Sequence, residues 1–78
     1  MRAARMNRDS TLEHLAQVEK QVEIGDTLLA ETRARIQDRL GDGLDVSEAE
    51  ATLALLEQTQ ALRIADRDRL RHELTGRH

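Results

Sequence analysis

Large aliphatic residues return every seven positions in the first half of the chain, as Leu15, Val22, Leu29 and Ile36. Seven residues make about two helical turns, so the repeat sets one aliphatic side chain on the same face every second turn. Three residues after each stand Val18, Gly25, Thr32 and Arg39, the first three of them small or β-branched. Large and small positions alternate along this seam, which lets a second helix come close at Gly25. A glycine inside a helix costs roughly 1 kcal/mol relative to alanine, and close approach is a reason to carry it. Ser10 and Glu13 form the S-x-x-E pattern of a capping box, in which hydroxyl and carboxylate each satisfy an orphan amide. The pattern predicts a first helix over about 10–42, preceded by a flexible arm over 1–9.

Gly41-Asp42-Gly43-Leu44 interrupts the periodicity. A glycine just past a helix adopts the left-handed conformation cheaply, and an apolar residue after it folds back. Gly43 followed by Leu44 fits that best, with Gly41 as the alternative, and places the turn at about 42–46. Asp45-x-x-Glu48 and Ser47-x-x-Glu50 both offer a cap for a second helix, and Ser47 is the preferred one. That helix is expected over about 47–75, with a tail over 76–78. Its main stripe is Val46, Ala49, Leu53, Leu56, Gln60, Arg63, Arg67, Leu70 and Leu74, spaced by threes and fours. Short connections join antiparallel neighbours. The predicted fold is therefore an all-α, antiparallel two-helix hairpin. Its seam would hold Leu15, Val18, Val22, Gly25, Leu29 and Ile36 against Leu53, Leu56, Leu70 and Leu74.

Both helices carry a second apolar strip: Ile24 and Leu28 on the first, Ala51, Leu55, Leu62 and Ala65 on the second. With the turn centred near Leu44, Ile24 falls level with Ala65 and Leu28 with Ala61. A contiguous apolar strip left in water marks an interaction surface. The expected partner is a second copy, giving a four-helix bundle that buries Ile24, Leu28, Leu55, Leu62 and Ala65; another protein could take its place. The same levels put Arg63 near Asp26, where it would pair or snorkel out of the seam.

Composition strengthens the case for a partner. The 78 residues include no Pro, Phe, Tyr, Trp or Cys. A core without aromatic rings is thin, and a domain of this size rarely gains more than about 3–5 kcal/mol from one core. Disulfides are excluded, so oligomerisation is the remaining staple. No stretch approaches the ~20 apolar residues of a membrane span, and no secretory leader is visible. The expected location is the cytoplasm.

Charge is uneven. Residues 1–20 and 63–78, which meet at the open end, hold nine basic and six acidic side chains, a net of 9 − 6 = +3. Residues 21–62 hold three basic and nine acidic, a net of 3 − 9 = −6. Arg67, Arg69 and Arg71 near the last helix end suit its dipole and have Asp66, Asp68 and Glu73 beside them. Phosphate binding needs clustered cations, yet the acids are interleaved, the pI is about 5.5 and no ring offers a base a stacking platform. Nucleic acid is thus the weaker alternative. Ser10 and Ser47 are explained as caps, and Gly41 and Gly43 lack the Lys-Ser/Thr of a phosphate loop. His14 and His72 fall at similar heights near Glu13, Asp68 and Glu73, but no H-x-x-x-H or E-x-x-H spacing supports zinc. Neither catalysis nor a cofactor or metal is expected.

In architecture the chain resembles the Rop-type hairpins, small plasmid regulators that dimerise into four-helix bundles and bind RNA; their RNA-binding residues have no counterparts here. It more closely resembles a group of small, uncharacterised helical-hairpin proteins of rhizobia and related proteobacteria. The shared pattern is His14-Leu15-Ala16, Gly25, Asp42-Gly43, Glu48-Ala49, Glu57 to Leu62 and Arg67 to Leu74, which spans nearly the whole chain. The resemblance implies a bacterial, cytoplasmic hairpin and no particular activity.

Overall fold

Helix α1 spans Arg2–Gly41 and helix α2 spans Ser47–Thr75. The computed structural model describes the backbone from Arg2 to Thr75 and the side chains from Arg8 to Thr75. The tail expected over 76–78 lies outside the described residues. The first helix does not start at Ser10 but runs back to Arg2, so the arm expected over 1–9 is helical in its backbone from that point. The reason is local. Arg2-Ala3-Ala4-Arg5-Met6 are good helix formers, no Gly or Pro intervenes, and a nucleated helix propagates at little cost.

The turn is built by the backbone. Gly43 has φ of 73°, the left-handed conformation that glycine tolerates. The Leu44 amide donates to the Arg39 carbonyl at 2.9 Å and the Gly43 amide to the Leu40 carbonyl at 3.0 Å, the paired bonds of a Schellman ending. On the far side the Val46 carbonyl accepts the first bond of α2 from the Glu50 amide at 2.8 Å. Val46 thus holds the cap position, and Asp45 does the capping chemistry expected of Ser47. The Asp45 carboxylate accepts the Ser47 amide at 3.0 Å and the Ser47 hydroxyl at 2.7 Å. These two bonds hold its acid below the usual carboxylate range.

The two helices pack along their length as an antiparallel pair, with Glu19 beside Arg71 and Arg33 beside Glu57. The result is a rod of 62 × 17 × 16 Å with a radius of gyration of 17.7 Å, where a compact domain of this length would have about 11–12 Å. Val18 and Val22 of α1 are buried in one cluster with Leu70 of α2, and Leu29, Ile36 and Val46 are buried further along the seam toward the turn. Gly25 and Thr32 are also buried, and Leu15, Leu53, Leu56, Ile64 and Leu74 are half-buried along the same seam. Helix α1 is 40 residues long and α2 is 29, so α1 overhangs the open end by roughly 16 Å at 1.5 Å per residue.

Candidate interaction surface

At mid-height the seam is polar. Gln60 is only 5% exposed, and its Nε2 donates to the Val22 carbonyl and to the Asp26 carboxylate, both at 2.8 Å. The reverse orientation of the amide would set its oxygen against two acceptors, so the pair of bonds fixes it. Gly25 makes the room: a Cβ there would collide with the Gln60 oxygen and stand 2.7 Å from its Cδ. The glycine therefore admits a side-chain amide, not a second backbone. Gln60 Oε1 is buried without a hydrogen-bond partner, a cost of about 1–3 kcal/mol. Asp26 takes Gln60 as its partner and not Arg63, so of the two outcomes expected for that arginine the pair is not formed; the register that seats Gln60 over Gly25 carries Arg63 one turn further toward the open end. Arg63 is half-buried there and lines a shallow groove together with Val18.

The two flanks of the hairpin differ in kind. One carries three of the polar contacts between helices: Arg71 to Glu19 at 2.8 Å, Gln60 to Asp26, and Arg33 to Glu57 at 3.0 Å. Glu19, Asp26 and Arg33 are seven residues apart and so line one face of α1. Each ion pair is about half exposed, so it contributes at most about 1 kcal/mol; together they make this flank charged and internally paired.

The opposite flank is apolar at its centre. Near the open end it is a groove between Gln17 and Gln21 of α1 and Thr59, Leu62, Ala65, Asp66 and Arg69 of α2. Near the turn it is a second groove between Arg35 and Arg39 and the residues Asp45, Glu48 and Thr52. Gln17, Gln21, Ile24, Leu28 and Arg35 follow at helical spacing, as do Thr52, Leu55, Thr59 and Leu62, so the two grooves are ends of one surface. Between them stand Ile24, 50% exposed, Leu28 at 41%, Leu55 at 65% and Leu62 at 73%. Ala51 and Ala65 are exposed as well. Leu12, Leu40 and Leu44 are also exposed, but at the two ends of the rod, as scattered surface aliphatics commonly are.

At the open end the arginines are paired within the chain. Arg67 meets Asp68 at 3.0 Å, Arg69 meets Asp66 and, at 2.8 Å, Glu73, and Arg71 meets Glu19 across the helices. The hydrogen bond and charge of Asp66, and after them those of Glu73, raise the Arg69 pKa above its ordinary value. Arg8 reaches the Leu74 carbonyl at 3.4 Å. His14 lies 3.4 Å from Asp66, and among the described residues no group of three or more His, Asp and Glu is placed to hold a metal ion. No helix among them is long and apolar enough to cross a membrane.

Comparison with protein-family models, with curated proteins and with solved structures finds no match. The surface must therefore be interpreted from its own chemistry. Gln60 stands on the stripe expected to face α1, but its seat over Gly25 and its bond to Asp26 were not among the expectations. Its signal was a lone amide on an otherwise aliphatic stripe, with a helical glycine free to receive it.

Proposed function

We propose that this protein is a self-associating interaction module whose working form is a homodimeric four-helix bundle, closed through the apolar flank. It acts without catalysis, in the bacterial cytoplasm that its resemblance to the proteobacterial hairpins implies. The carrying observation is the apolar centre of that flank, where Ile24, Leu28, Leu55 and Leu62 remain in water.

Surface area supports the reading. The hairpin exposes 6013 Å², whereas a compact monomer of 8.8 kDa exposes about 4,800 Å² by the usual scaling. The surplus is about 1,200 Å², and a stable interface takes roughly 800 Å² from each partner. A second copy is thus large enough a cover. Burying one leucine contributes about 1.5–3 kcal/mol relative to leaving it in water. The internal pairing of Arg67, Arg69 and Arg71 supports this reading over a phosphate-binding open end, since an arginine held by carboxylates must first release them.

Sedimentation tests the proposal. The wild type is expected to be dimeric at micromolar concentration, and Leu62→Glu, which sets a charge in the interface, to be monomeric. A folded wild-type monomer at tens of micromolar (about the range weak dimers populate) would refute it.

A further inference from the structure

The geometry points to an antiparallel dimer, in which a twofold axis crosses the middle of the apolar flank and each open end lies beside the partner's turn. This orientation rests on the dimer proposed above. Two hairpins pressed flank to flank have two symmetric choices. An axis along the rod keeps the open ends together and sets α1 against the partner's α2. An axis across the rod reverses one hairpin and sets α1 against α1 and α2 against α2.

The residues on the flank are arranged for the second choice. On α1 the apolar pair is Ile24 and Leu28, with its midpoint at position 26; on α2 it is Leu55 and Leu62, with its midpoint between 58 and 59. These midpoints lie at one height, because Gln60 packs over Gly25 and bonds Asp26. One transverse axis at that height therefore satisfies both helices at once. It brings Ile24 to the partner's Leu28 and Leu55 to the partner's Leu62. Continued outward, the same axis sets Glu48 at the level of the partner's Arg69 and His14 at the level of the partner's Asp38.

Net charge favours the same choice. The turn half, residues 21–62, carries 3 − 9 = −6. The open half, counted over 8–20 and 63–75, carries six basic and six acidic side chains, 6 − 6 = 0. An axis along the rod would place two strongly acidic halves side by side, and like-charge juxtaposition disfavours an interface. The transverse axis alternates acidic and neutral halves.

The cysteine-free sequence allows a clean test by spin labelling. Ser10→Cys sits at the open end, is exposed and takes no part in the apolar flank. In the antiparallel dimer the two labels lie 32 helical positions apart, about 48 Å. With the axis along the rod they lie at one height, within about 25 Å, since neighbouring helices are only 8–10 Å apart. A mixture of labelled Ser10→Cys and labelled Asp42→Cys should give a short distance that neither variant shows alone. A short distance from Ser10→Cys alone overturns the orientation while leaving the dimer standing. Absence of any coupling, with a monomer in sedimentation, overturns both.

Discussion

Gly25→Ala should destabilise this protein, although alanine is the better helix former. In an open helix the exchange gains about 1 kcal/mol. Here the new Cβ would stand 2.7 Å from Gln60 Cδ and nearer still to its oxygen, so the amide has to move by about 1 Å to reach ordinary contact distance. A shift of that size takes the bonds to the Val22 carbonyl and Asp26, now both 2.8 Å, beyond useful length. At about 0.5–1.5 kcal/mol each, their loss outweighs the helix gain and leaves a net destabilisation of about 1 kcal/mol. The contrast lies in the Gln60→Ala background, where the three atoms nearest the new methyl group are gone and Gly25→Ala should stabilise by about 1 kcal/mol. Urea melts of the four variants at one protein concentration measure the cycle, and the expected coupling is about 2 kcal/mol. If Gly25→Ala stabilises both backgrounds equally, Gln60 is not held over the glycine, and the height at which the two helices meet has been misjudged.

Gly43→Ala should lower stability by about 1–2 kcal/mol, because the left-handed φ of 73° penalises a Cβ; thermal melts check it. Asp45→Ala should lower the melting temperature at pH 7. The Asp45 acid is depressed below its ordinary 3.8 by the two bonds from Ser47, so its contribution is present above pH 3.8 and lost as pH falls through the lower folded value. The gap between wild type and variant should therefore close in that acid window, and a gap independent of pH would reject the assignment. Replacing Arg67, Arg69 and Arg71 together with Gln should lower the melting temperature and leave binding to host nucleic acid unchanged. An unchanged melting temperature with lost binding would make the open end a working surface.

The parts of this hairpin that repeat were legible in the sequence, and the parts that occur once were not. Leu15, Val22, Leu29 and Ile36 mark the inward face of α1 because burial selects the same residue type every two turns. Gly43-Leu44 announces a helix end because only glycine adopts that backbone cheaply. The start of α1 was misplaced because Ser10 and Glu13 satisfy a cap pattern that is equally at home inside a helix. No rule of composition separates the two uses when helix formers precede the serine. The second cap was misassigned for a related reason: Asp45 and Ser47 are both good caps, and the loop's path, not its residue types, decides which carboxylate or hydroxyl reaches an amide. Asp26 found Gln60 and not Arg63 because register in a hairpin depends on one contact, an amide fitting over a missing Cβ, and periodicity carries no information about it.

That contact also explains why a thin seam tolerates a buried, half-satisfied glutamine. Heptad packing alone does not distinguish one register from the next, since sliding α2 by seven residues returns similar side chains to similar places. Such a slip would carry Gln60 away from Gly25 by roughly 10 Å, leaving its amide buried against side chains with no room for it. It would also move the Leu55–Leu62 midpoint the same distance from the Ile24–Leu28 midpoint, splitting the apolar flank into two smaller patches. Gln60 over Gly25 thus does two jobs with one interaction. Within the chain it selects a single register at a cost in stability, as buried polar groups do in other helical assemblies. On the surface it aligns two pairs of aliphatics at one height, the arrangement a single twofold axis can bury.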